Sequence, residues 1–188
     1  MSGSDLPDIQ AQFLAISKRA EAVVRNVGYD LVAVRPTPDA WSVAECLIHL
    51  QLTAEAYMPI WRKACEEACP QGLTASTRSF TLDFWGKFFV WFLEPPPKLR
   101  FPAPRSFQPN RDRLAEGNAL CTFLASQERV LKLIAETDGL PVDRMVIRSA
   151  FSRRFRYSLW SSFCANAAHH RRHLWQAERV ANALLKSV

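Results

Sequence analysis

Three of the chain's four histidines, His169, His170 and His173, fall within five residues, and the fourth, His49, lies more than a hundred positions earlier. On an α-helix, side chains four residues apart stack on one face, so His169 and His173 can aim two imidazole nitrogens at one point. A third imidazole from a facing helix would complete a three-nitrogen metal site. Such a site keeps a coordination position open for water or substrate, as catalytic zinc centres do. His49 is the only histidine left to supply it. His170 competes for the pair, because ligands three residues apart also bind metal in helical bundles, and by angle it points inward at least as directly as His169. A histidine on an apolar face is also an ordinary core residue once its nitrogens are hydrogen-bonded.

Such a site requires long helices, and the periodicity supplies them. Ile9, Phe13, Ile16, Ala20, Val23 and Val27 recur in steps of three and four, and Gly28 is placed to stop that helix. Leu31 to Ala40, with Pro36 and Pro38, reads as extended. Ser42 and Glu45 then form a capping box, with Trp41 available to pack on Cys46. The inward seam of this second helix, Cys46, His49/Leu50, Thr53, Ala56/Tyr57 and Ile60, holds His49 in the core; Pro59 should bend it, and Pro70 and Gly72 should close it. Glu45 lies on the side of the proposed ion by spacing, but its capping role alone accounts for it. Thr53 and Tyr57 are weaker candidates.

Between residues 73 and 108 the pattern is least regular. Phe80 to Leu93 is a strongly aromatic run, too short and too charged for a membrane span, which reads as a short helix. Its apolar surplus calls for packing on the bundle, a homodimer contact or a cavity wall, with membrane contact the lesser reading. Pro95, Pro96, Pro97, Pro102, Pro104 and Pro109 hold the chain extended beyond it. A third long helix is predicted from Asn110 to about Thr137, marked by Leu114, Gly117, Leu120/Cys121, Leu124, Leu131 and Ile134 and ended by Gly139 and Pro141. Pro141 to Tyr157 is a basic connection of unassigned conformation. A fourth helix follows from Ser158 to Lys186, with Leu159, Phe163, Asn166, His173, Ala177, Val180 and Leu184 inward and Arg171, Trp175, Glu178 and Asn182 outward. The economical architecture is all-α: an up-down four-helix bundle with a long crossover carrying a short aromatic-rich helix.

Composition bounds the function. The 188 residues, 48% hydrophobic and 22% charged, suit one globular domain over 1–188. A net charge of +6 permits anionic partners. No nucleic-acid recognition motif accompanies it, so a solvated basic face is the expectation. The five cysteines are odd in number and form no CxxC pair. With a start that lacks the features of a signal peptide, they suggest reduced thiols in a cytoplasmic protein, mostly serving as small core residues.

The order of these motifs resembles the DinB-like superfamily of small four-helix bundles. The resemblance rests on Trp41, Ser42, Val43, Ala44 and Glu45 followed by His49 and Leu50, the proline-rich crossover, and His169, His170, Arg171, Arg172, His173, Leu174, Trp175 and Gln176. It implies a divalent metal held by His49, His169 and His173. His170 stands where an acidic residue is usual in that family. Asn166 and Gln176, one turn either side of the pair, could orient an imidazole or bind substrate, as could His170.

Three neutral imidazoles leave an ion's charge uncompensated, so a coordinated water or thiol loses its proton more readily. Imidazole suits zinc, nickel, iron and copper alike, and the expected ion is zinc or nickel, then iron. The small-molecule chemistry implied is hydrolysis of an ester, amide or related bond, or attack by a low-molecular-weight thiol as its thiolate in a transferase or isomerase. The sequence identifies no general base and no other catalytic residue. The competing class is a non-catalytic, metal-stabilised bundle that uses its aromatic run as an interaction surface.

Overall fold

The computed structural model describes residues 5–68, 79–99, 103–109, 118–152 and 154–186. Among the described residues there are five α-helices: α1 (Leu6–Val27), α2 (Val43–Ala68), α3 (Phe84–Leu93), α4 (Ala119–Glu136) and α5 (Leu159–Leu185). A 3-10 turn spans Arg105–Phe107, and two three-residue strands, β1 (Val146–Arg148) and β2 (Arg156–Ser158), pair antiparallel. The bundle is built from α1, α2, α4 and α5, with α3 on the crossover between α2 and α4 packed against α5. Each of α1 and α2 lies between α4 and α5. Gln12 and Arg19 of α1 meet Arg171 and Glu178 of α5 in the same order, so these two helices run side by side in one direction. Among the described residues, no helix is long and apolar enough to cross a membrane.

The helices form where the apolar period places them. All six predicted core positions of α1 are buried, Asp5 and Asp8 form a reciprocal capping box, and Gly28 ends the helix with φ +82°. At α2, the Ser42 amide donates to Glu45 Oε2 at 2.8 Å and the Glu45 amide to Ser42 Oγ at 3.2 Å, the predicted box. The helix continues through Pro59 to Ala68, and its expected stops at Pro70 and Gly72 lie outside the described residues. Within the third predicted helix, the described part begins at the cap Asn118 and ends before Gly139; Asn110, Leu114 and Gly117 lie outside the described residues.

Two joints hold α3 to α5. Asp83 caps α3 through Gly86 and also accepts from the Ser158 amide at 2.5 Å, tying together the starts of both helices. Gly86 lies so close to α5 that a Cβ there would meet Ser161 Oγ at 2.1 Å, which explains a glycine inside an aromatic helix. At the other end, Arg171 forms a bidentate pair with Glu94 at 2.7 Å and reaches Gln12 on α1. The outward placement predicted for Arg171 and Glu178 therefore needs correction. Each is half-buried and bridges to a neighbouring element, Glu178 through both oxygens to Arg19.

The basic connection before α5 contains the β1–β2 hairpin. Ile147 and Tyr157 pair across it and point into the core, while Arg148 and Arg156 face each other on the exposed side.

Candidate metal centre

His49 enters the interior from α2, and His169 and His173 enter from α5, one helical turn apart. Their potential ligand atoms all lie within 4.8 Å of one another. The His49 and His169 Nε2 atoms are 3.3 Å apart. Two nitrogens bound at about 2.0–2.1 Å to one tetrahedral zinc ion would be separated by about 3.3 Å, so this spacing matches a shared ion. The ring centroids of His173 lie 4.4 Å from those of His49 and 4.6 Å from those of His169, closing the triangle.

Outer hydrogen bonds fix which nitrogen is available on two of the three rings. His49 Nδ1–H donates to the Phe107 carbonyl at 2.7 Å, and His173 Nδ1–H donates to Gln176 Oε1 at 3.1 Å. Each bond leaves Nε2 with its lone pair, and that of His49 faces His169; such outer hydrogen bonds are what orient metal-binding imidazoles. Among the described residues, the buried His169 Nδ1 has no hydrogen-bond partner.

Burial disfavours protonation of all three rings. It pushes His49 below its ordinary pKa, and it pushes His169 and His173 well below theirs, with the neighbouring imidazoles adding to the effect. A cluster of neutral, converging nitrogens fits a divalent cation, which would replace the direct contact between the His49 and His169 Nε2 atoms by coordination.

His170 does not join them. It is 1% exposed, more withdrawn than His169 at 8%, but it faces a different side of the bundle. Its Nδ1–H donates to the Asn166 carbonyl at 2.7 Å, and Gln127 of α4 donates to its Nε2 at 3.2 Å. Its ring contacts Phe13 of α1 and Phe123 of α4. α5 has two core-facing directions, and His169, not His170, shares that of His173.

Aromatic rings surround the cluster. Trp41, expected against Cys46, sets its ring 5.0 Å from His49 and stacks on His173 at 5.9 Å. Phe151 touches His169 at 5.9 Å, Phe107 at 4.5 Å and Tyr57 at 5.8 Å. Phe107 and Phe151, both from connecting segments, escaped sequence reasoning because no periodicity marks them. His173, Arg172 and Trp41 are half-buried, so solvent approaches the cluster from their side.

The weaker candidates have structural partners. Thr53 Oγ1 donates to the His49 carbonyl, and Tyr57 joins Tyr157 at 2.7 Å and Ser149 at 3.1 Å in a buried hydroxyl cluster. Glu45 is 1% exposed and bonded to Ser42 and Arg35. Burial alone would raise its pKa, but these partners outweigh burial and lower it. Arg35 is a partner that the capping pattern did not reveal.

The fold and this cluster define an all-α bundle equipped to hold a divalent cation with three imidazoles. The chain belongs to the DinB superfamily, whose sequence model matches residues 12–177. Comparison with curated proteins and with solved structures gives no match.

Proposed function

We propose that His49, His169 and His173 hold a divalent metal, zinc or nickel before iron, and that the centre catalyses a reaction on a small molecule. The observation that carries this reading is the convergence of three neutral ligand atoms within 4.8 Å around a half-buried imidazole. A structural metal site is closed by protein ligands, whereas three ligands and solvent access leave a position for chemistry. When bound, the ion acidifies a coordinating water or thiol. The protein's own part is to keep the imidazoles neutral by burial and to orient two of them through Phe107 and Gln176.

A low-molecular-weight thiol is the favoured nucleophile, in a transferase or isomerase. Glu45, one turn before His49, is committed to Ser42 and Arg35 and therefore is no general base. A thiol has less need of such a base than water does, because coordination deprotonates it outright. Burial raises the pKa of Cys46 and Cys164, which makes these two poor thiolates; in this reading the attacking sulfur comes from a separate small thiol. Metal-dependent hydrolysis is the second outcome to be tested. The reading extends to a single cytoplasmic domain over 1–188 and to a homodimer. The outward side of α3, with Phe84 75% and Trp91 58% exposed, supports the dimer.

The test loads metal-depleted protein with zinc or nickel and follows consumption of generic electrophiles with and without small thiols. Metal-dependent turnover that needs a thiol supports the favoured reading, and turnover without thiol supports hydrolysis. A metal that raises the melting temperature but yields no turnover of either kind would identify a non-catalytic, metal-stabilised bundle.

A further inference from the structure

On α5, two buried polar atoms have no hydrogen-bond partner among the described residues: His169 Nδ1 and Asn166 Oδ1. Buried polar atoms in folded proteins are ordinarily paired, so each calls for an explanation. The two residues are three apart on α5, where side chains share a face with Cβ atoms about 5–6 Å apart. One atom is able to donate and the other only to accept.

His169 lacks the support given to its partners. The Nδ1 atoms of His49 and His173 are anchored by Phe107 O and Gln176 Oε1. An ion on His169 Nε2 would confine the proton of the neutral ring to Nδ1 and make that atom a buried donor. Asn166 is prepared to receive it. Its Nδ2 donates to the Ser162 carbonyl at 3.0 Å, which identifies the other end of the amide as the free oxygen. Its own backbone carbonyl is held by His170 Nδ1 at 2.7 Å, and His170 is packed against Phe13 and Phe123. The remaining orphaned atoms have other surroundings: Gln127 serves His170, and Trp160 packs on Phe80.

We infer that Asn166 is the positioning residue of this centre, its Oδ1 accepting the Nδ1–H of His169 when Nε2 binds a metal ion. This step rests on the reading of His49, His169 and His173 as ligands. It gives His170 a part as well, as the buried prop behind Asn166. Asn166 touches neither ion nor substrate, so its effect is on affinity and ring orientation.

The test uses the full chain with zinc as probe. Zinc affinity is measured by chelator competition, and the melting temperature is measured without metal. Asn166→Leu removes both polar atoms at similar volume, and Asn166→Asp keeps an acceptor. Asn166→Leu is expected to weaken zinc binding about 10–100-fold. Its metal-free melting temperature should be unchanged or raised, because an unpaired buried oxygen has gone. Asn166→Asp is expected to bind zinc at least as tightly as wild type. A merely structural role predicts the reverse for Asn166→Leu, a lowered melting temperature with unchanged affinity, and would overturn the inference. Should Asn166→Leu fail to fold, nitrogen-resolved NMR of the wild type decides. A protected His169 Nδ1 proton that emerges on zinc loading is expected, and its absence overturns the proposal. Zinc held equally by wild type and Asn166→Leu defeats this inference alone. A wild-type chain that takes up no zinc defeats the ligand reading and this inference with it.

Discussion

His169 and His170 are consecutive and both withdrawn from water, yet they belong to different regions of the molecule. His169 faces α2 across a seam where imidazole nitrogens point at one another. His170 faces α1 and α4, where both its nitrogens have hydrogen-bonding partners and its ring contacts two phenylalanines. Burial lowers the pKa of both, for His170 to about 4. Burial and neutrality therefore do not distinguish a ligand from a core residue. What separates the two regions is what the ring nitrogens meet: an amide and a backbone carbonyl in one, and other imidazole nitrogens in the other.

Replacing residues in turn gives the largest separation. His49→Ala, His169→Ala and His173→Ala should each lose stoichiometric metal, measured by elemental analysis of purified protein, while His170→Ala retains it. His170→Ala should instead lose about 2–4 kcal/mol of stability, from the cavity and from the unpaired Gln127 amide. Metal content that falls in His170→Ala but not in His169→Ala would exchange the roles assigned to the two regions.

Acid titration of the metal-free protein sharpens the contrast further. As pH falls below 6.5, the unfolded chain protonates its histidines while folded His170 stays neutral down to about 4. The neutral ring thus contributes stability above pH 6.5 that is progressively lost toward pH 4, by about 3 kcal/mol. Urea denaturation at several pH values should show His170→Leu to be less sensitive to acid than wild type over this interval. Superimposable pH profiles would mean that burial of the ring is not what holds it neutral. The slope remaining in His170→Leu would include the cluster histidines, whose pKa values are displaced in the same direction.

Periodicity made the long helices legible: the buried residues of α1 follow the apolar spacing closely, whereas α5 is buried on nearly every side from Leu159 to His170 and follows it only from Leu174 onward. Ser42 and Glu45 announced the start of α2 because a capping box is a local interaction. The three-histidine cluster was legible as a set of compatible donors. The choice between His169 and His170 was harder because the helical wheel defines one inward direction, whereas α5 meets α1 on one side and α2 on another. Phe107, Phe151 and Trp41 reach the cluster through tertiary contacts that leave no local pattern. Strands of three residues, Val146–Arg148 and Arg156–Ser158, were too short for a clear alternation to reveal the hairpin.

Smaller effects test what lies at the edges of the two regions. Glu45→Gln should keep metal content at the wild-type level and cost about 1–2 kcal/mol in denaturant unfolding, through weaker bonds to Ser42 and Arg35. Metal loss in Glu45→Gln would instead bring this carboxylate into the centre. The least effect on folding is expected on the outer side of α3. Its inner rings, Trp85 and Phe89, pack on Phe155, whereas Phe84 and Trp91 are largely exposed. Phe84→Ser with Trp91→Ser should alter stability by only about 0.5 kcal/mol each, as surface substitutions do. The same pair should convert a homodimer to monomer in sedimentation. A wild-type chain that already sediments as a monomer would leave that aromatic face without the partner assigned to it, while the metal content of the histidine cluster would be unaffected.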